Sequence, residues 1–153
     1  MEAPQTFEID KSTWGPGPWQ DEPDRVDFTH AGFACLALRH PQHGVWCGYA
    51  GVPPGHPLHG RQWTETPEIG ALEVHFGINY SAPCDGGAIC HVPEPGMPAD
   101  VWWLGFDCGH FMDLEPGRDA REAVMGLPKI EGPFREVYRE LPYARHQIGR
   151  AHV

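Results

Sequence analysis

At 153 residues the chain fits a single domain with one core. Its net charge of −10 argues against binding a nucleic-acid backbone, which rests on clustered Lys and Arg. No stretch near the N-terminus pairs a basic start with an apolar run, and none approaches the ~18 apolar residues of a membrane span. The expectation is a soluble, cytoplasmic protein with no membrane association. Five cysteines are an odd number, which excludes a complete disulfide framework and points to free thiols or metal ligands in a reducing compartment. The 19 glycines and 17 prolines foretell long loops, while six Trp, seven Phe and four Tyr supply more aromatic mass than a disordered chain carries.

In chain order, residues 1–30 read as an irregular N-terminal arm pinned to the core by Trp14 and Trp19. The core is expected over 33–148, within one domain spanning 1–153. "FACLALRH" and "GVWCGYAGV" flank "PQH", with Pro41 at a turn's second position and Gly44 at its end, and so predict a β-hairpin. "VPPGHPLHG" (52–60) is a stiff surface loop, because Pro53, Pro54 and Pro57 remove donors and force extended backbone before them. "ALEVHFGINY" (71–80) alternates, with Leu72, Val74, Phe76 and Ile78 on one face and Glu73, His75, Gly77 and Asn79 on the other; it predicts a strand. "VWWLGFD" repeats that logic at 101–107. Ala120 to Met125 predicts a short helix, and "PFREVYRELPYARHQIGRAHV" an edge strand that turns helical near Arg139, with Pro142 in the first turn. The fold class is therefore α+β: an antiparallel β-sheet of four or more strands, a C-terminal helix and long Gly/Pro-rich loops.

If 71–80 and 101–107 lie side by side, Glu73, His75 and Asn79 share a face with Gly105 and Asp107. Gly77 and Gly105 would then leave a floor without side chains, which, with Glu73, forms a candidate ligand-binding surface. Beyond it, Asp107, His110 and Asp113 follow at three-residue intervals. Two carboxylates and an imidazole on one loop, joined by His75, are a candidate set of ligands for a divalent metal, zinc by ligand type. Such a metal would polarise water for hydrolysis, with Asp107, His110 and His75 as candidate catalytic residues. The competing reading is that Asp107 caps the turn, His110 packs against aromatics and Asp113 caps a short helix.

A second candidate set, Cys84, Cys90, His91 and Cys108, has the ligand types of structural zinc, although the gap between Cys84 and Cys90 exceeds a C-x₂₋₄-C knuckle. Cys108 and His110 together have the residue types of a thiol nucleophile and its base. His56 and His59 sit in the Pro-rich loop, which could cover the pocket as a lid. Trp46, Tyr49, Trp63, Trp102 and Trp103 are read first as core and second as a stacking surface.

"GYAGVPPGHPLHG", "EVHFGINYS", "ICHVPEPGMPADVWWLGFDCGHFMDLEP" and "YRELPYARHQI" together resemble an uncharacterised family of small proteins found in bacteria, prophages and tailed phages. In that family the second and third blocks usually read H-G-G-L-T-Y/F and W-W/F-F/L-G-F-D-C-A-H-x-x-D. The resemblance runs from Gly48 to Ile148 and implies that His75, Asp107, His110 and Asp113 occupy motif positions, along with the loop at 51–60. This chain departs where Phe76 stands for a glycine, and Ile78 and Asn79 for leucine and threonine. The residues and the resemblance together leave two functions open. One is a pocket protein for a small molecule or metal, extending to metal-assisted hydrolysis of a phosphorylated or nucleotide-like substrate. The other is a non-catalytic accessory protein of phage origin that sequesters a small molecule or inhibits a host protein.

Overall fold

A computed structural model describes residues 8–93, 95–96, 98–127 and 136–151. Five strands make one antiparallel sheet: β1 (Arg25–His30), β2 (Phe33–Arg39), β3 (Trp46–Val52), β4 (Tyr80–Pro83) and β5 (Trp102–Asp107), in the order β1-β2-β3-β5-β4. The helices are α1 (Pro67–Gly70), α2 (Pro116–Val124) and the C-terminal α3 (Leu141–Arg150). This is the expected α+β architecture. No helix among the described residues is long and apolar enough to cross a membrane.

The central strands are nearly continuous apolar runs because both faces of the sheet are covered. On one face Cys35, Ala37, Trp46, Ala50, Leu104 and Phe106 pack with Ala144 and Ile148 of α3 and with Ile69, Leu72, Val74 and Ile78. On the other, Ala34, Leu36, Leu38, Tyr49, Val101 and Trp103 are covered in part by Tyr80, Ala88 and Ile89. The alternation expected for β5 therefore holds, with Leu104 and Phe106 on one side and Trp103 on the other.

The hairpin at 33–52 forms as expected, its turn closed by the Gly44 amide donating to His40 O at 2.9 Å. Pro142 sits in the first turn of α3, and α2 begins at Pro116, four residues before the helix expected from Ala120. Two expectations are corrected. Residues 25–30 are not irregular arm but an edge strand paired to β2 along its whole length, Arg25 opposite Leu38 and His30 opposite Phe33. Trp19 is buried as foreseen and donates its indole N–H to Gly15 O at 3.0 Å.

Residues 71–79 are not a strand. Phe76 (φ 55°) and Gly77 (φ 81°) take left-handed backbone, reversing the chain with the Gly77 amide bonded to Val74 O at 2.9 Å. Leu72, Val74 and Ile78 still reach the core, but Phe76 is 61% exposed. Pairing with β5 starts only where the Asn79 amide reaches Gly105 O at 2.9 Å, followed by β4. The expected edge strand from Pro133 lies partly outside the described residues; within them, Val137 makes one parallel bridge to Asp113.

Candidate functional site

At the C-terminal end of β5 a cleft of about 460 Å³ opens between the β2–β3 turn and the start of β4. Its walls include His40, His43, Tyr49, Tyr80, Asp107 and Glu115, with no Lys or Arg among its lining residues. The floor is built around Gly105. That residue is opposite Tyr49 on one neighbouring strand and Tyr80 on the other. A Cβ there would lie 2.6 Å from Tyr49 Cδ1 and 3.2 Å from Tyr80 Cβ. The space a side chain would take is thus filled by the Tyr49 ring with Tyr80 Cβ beside it, and the two tyrosine rings meet edge to face at 5.4 Å and 83°. Gly105 shapes the cleft by admitting Tyr49, and is not itself the ligand surface expected from the sequence.

Asp107 ends β5 opposite Cys47. Its Oδ2 accepts from Asn79 Nδ2 at 2.6 Å and its Oδ1 from the Gly109 amide at 2.9 Å, the latter the side-chain turn expected of an Asp at a strand end. His110 Nε2 lies 3.1 Å from the same Oδ1 but out of line for a hydrogen bond. Phe76 stacks flat on the His110 ring, 4.6 Å between centroids and 4° between planes.

Glu115 is carried in by α2, whose N-terminus abuts the hairpin turn. The Gly117 amide donates to His43 O at 2.9 Å, and the approach is so close that a Cβ on Gly117 would stand 2.0 Å from Gln42 O. Glu115 Oε1 comes within 3.3 Å of His43 Nδ1, while Oε2 takes the Arg118 guanidinium. His40 Nδ1 accepts the Gln42 and His43 amides at 3.2 and 3.0 Å, which leaves Nε2 to carry the proton of the neutral ring. Burial, with neighbouring His43 and Arg121 adding to it and Asp107 opposing, lowers the His40 pKa and keeps it neutral at pH 7. Burial pushes the Cys47 thiol up to about 12, and the Tyr49 hydroxyl is likewise raised. The cleft therefore presents carboxylates and neutral polar groups.

The four expected metal ligands do not converge. Both ring nitrogens of His75 are engaged, Nδ1 with Tyr143 OH and Nε2 with Asp113 Oδ2, each at 2.6 Å. Asp113, fully buried, also accepts the His110 amide at 3.0 Å and Arg139 Nε at 3.1 Å. Burial opposes its ionisation, but the hydrogen bonds from His75, His110 and Arg139 outweigh this and hold its carboxyl below the usual range. These lone pairs are spent on protein donors, so His75 and Asp113 form a buried tie between the 71–79 turn, the 108–113 loop and α3. Asp107 and His110 make a separate, half-exposed pair. Among the described residues no three of these four come within metal-sharing reach; the residues do not fit a zinc ion as one set.

Glu73 is exposed and paired with Arg150 at 2.8 Å, and Gly77 serves the turn with nothing within 4 Å of its Cβ position. Neither lines the cleft. Cys108 is buried in the apolar core, and burial drives its thiol pKa well above the ordinary value, which removes the thiol-nucleophile reading. Cys84 and Cys90 are joined as a disulfide, so the expectation of five free or metal-bound cysteines is corrected for that pair; Cys35, Cys47 and Cys108 are not disulfide-bonded. Trp46 and Trp103 are core, Trp102 is half-buried against it, and Trp63 is 39% exposed.

Sequence reasoning missed Arg39, which is wholly buried under the arm. It donates to Asp24 Oδ1 at 2.8 Å, Gly44 O at 2.8 Å and Tyr138 OH at 2.7 Å, and its guanidinium lies 4.5 Å from the Trp46 ring centre. Glu22 in turn binds the Leu141 amide at 2.7 Å and the Tyr138 hydroxyl. It also missed His40, His43 and Glu115, for which only the histidine-rich hairpin turn and the acid before Pro116 gave a signal. No family model, curated protein or solved structure matches this chain.

Proposed function

We propose that the chain is a small-molecule-binding protein whose cleft at the end of β5 takes a cationic or N–H-rich ligand, such as an amine or a nitrogen heterocycle. The observation that carries this is the pairing of Asp107 with two tyrosine rings in a cleft that also holds Glu115 and has no basic lining residue. Aromatic faces attract cations and stack on flat rings, and carboxylates accept N–H groups. A phosphorylated substrate is disfavoured there, since its charge would face Asp107 and Glu115 without a metal ligand set to offset it. In this reading the protein works in the cytoplasm, as a binder of a metabolite rather than of a host protein.

A second reading, acid–base catalysis at Asp107 with His110 behind the cleft wall, is favoured by one feature: His110 Nε2 stands 3.1 Å from Asp107 Oδ1 yet is not aligned to it. A small rotation of the His110 ring would align Nε2 with Asp107, which could then pass a proton to a ligand in the cleft.

The test is binding of a panel of amines, nucleobases and their phosphorylated counterparts to the full chain and to Asp107→Asn, read by calorimetry. Loss of a charge-assisted hydrogen bond predicts affinity lower by about ten- to a hundredfold in the variant, with an unchanged melting temperature. Equal affinity in the variant, or a preference for the phosphorylated compounds, would overturn the binding reading. Conversion of a bound compound by the wild type but not by His110→Gln would select the catalytic one.

A further inference from the structure

We propose that Cys84, Cys90 and His91, none of them among the lining residues of that cleft, form a redox-gated site for a thiophilic divalent cation, with zinc the best match. The ligating atoms of the three residues all lie within 4.8 Å of one another. Their loop is held in place from the sheet: the Arg25 guanidinium donates to the carbonyls of Ala88 at 2.6 Å and Cys90 at 2.7 Å. The Gly87 amide bonds to Asp85 Oδ1 at 2.7 Å, tightening the turn between the two cysteines. Ala88 and Ile89 pack on the sheet face that carries Trp103.

His91 supplies an independent observation. Both of its ring nitrogens are shielded from solvent, the Pro98 backbone can serve only one of them, and the ring stands edge-on to Trp103 at 5.4 Å and 86°. A buried imidazole nitrogen left unpaired costs free energy. A metal bound through that nitrogen would recover the cost, and the ring already sits beside both sulfurs. Two thiolates and an imidazole, with water in the fourth position, are a tetrahedral donor set of the kind zinc takes. Cys108 is not part of it, being buried in the core cluster on the opposite face of the sheet.

The Cys84–Cys90 disulfide makes the site conditional on redox state. A disulfide sulfur carries no thiolate and is a poor ligand. An external dithiol reduces it by thiol–disulfide exchange: the dithiol gives up two electrons and two protons and becomes a disulfide, while Cys84 and Cys90 become thiols. Binding of the divalent ion then displaces those two protons. Oxidation by an external disulfide runs the sequence backwards, taking two electrons from the thiolate pair, re-forming the bond and releasing the metal.

The test uses the full chain, reduced with a phosphine that is then removed, and titrated anaerobically with Co²⁺ as a spectroscopic substitute for zinc. The expected result is one equivalent bound with thiolate-to-cobalt absorption, none after oxidation with diamide, and a melting temperature that Zn²⁺ raises in the reduced chain only. The absorption should vanish in Cys84→Ser/Cys90→Ser, and His91→Ala should weaken binding by at least about tenfold, the loss typical of even an indirect partner of a metal. The comparison of oxidised with reduced wild type needs no variant, so misfolding of a variant leaves the test intact. Failure of the reduced chain to take up Co²⁺, equal uptake by the oxidised chain, or absorption surviving the double substitution would overturn the proposal.

Discussion

Two buried polar centres do different work at the scale of single residues. Arg39 is a charge enclosed by Asp24, Glu22, Tyr138 and a carbonyl, so it fastens the arm and the segment before α3 onto the hairpin. Breaking such a pair leaves an uncompensated buried charge, and Arg39→Ala is expected to cost about 3–5 kcal/mol in urea unfolding. A loss under about 1 kcal/mol would mean that this network carries little of the stability. The His75–Asp113 tie behaves alike and not as a ligand pair, since every strong acceptor in it already has a donor. His75→Ala should lower the melting temperature, whereas Asp107→Asn, half-exposed at the cleft, should change the unfolding free energy by no more than about ±0.5 kcal/mol.

Elements show which parts of the sequence could be read in advance. β2, β3 and β5 were legible because an unbroken apolar run bounded by turn residues has few other uses, and α3 because Pro142 fits only a first turn. The 71–79 segment misled because its apolar spacing of two is met equally well by a turn that buries Leu72, Val74 and Ile78. The discriminating residue was Gly77, whose left-handed backbone reverses the chain and turns Phe76 out to solvent. β1 was hidden in a polar stretch: only its pairing with β2 makes it a strand, and edge strands carry weak patterns of their own. In the site, Asp107 and His110 were legible as polar residues at a strand end, but His40, His43 and Glu115 come together only through the docking of α2 on the hairpin turn, a contact no local pattern encodes. That docking rests on Gly117, so Gly117→Ala is expected to destabilise the fold by at least the ~1–3 kcal/mol of overpacking, because the clash is with backbone. Gly105→Ala should instead displace Tyr49 and reduce binding in the cleft. Wild-type affinity in that variant would contradict the role given to the paired rings.

Over the whole molecule the titrating groups set a definite pH response. His40 and His56 have folded-state pKa values lowered from 6.5, chiefly by burial. The unfolded chain therefore takes up protons first, and stability present above about pH 6.5 declines as the pH falls below it. Asp24 and Asp113 are held below 3.8 because hydrogen bonds from Lys11, Arg39, His75 and Arg139 outweigh burial, so their contribution is full above that value and is lost as the pH falls through their folded pKa values. Urea midpoints should thus fall in two stages, a shallow one below pH 7 and a steeper one below pH 4. A midpoint flat from pH 7 to pH 5 would contradict the burial assigned to the histidines.

At the same scale, the ligand proposed above meets the protein in one acidic, tyrosine-floored cleft. The most direct measurement is an amide chemical-shift map of the isotope-labelled chain titrated with an amine or heterocycle that binds in the calorimetric panel. The account predicts saturable shifts confined to the His40–Tyr49 hairpin, Asn79 and Tyr80, Gly105 to His110, and Glu115. Shifts centred on His75 and Asp113, or on the far edge of the sheet at β1, with the cleft residues unmoved, would contradict it.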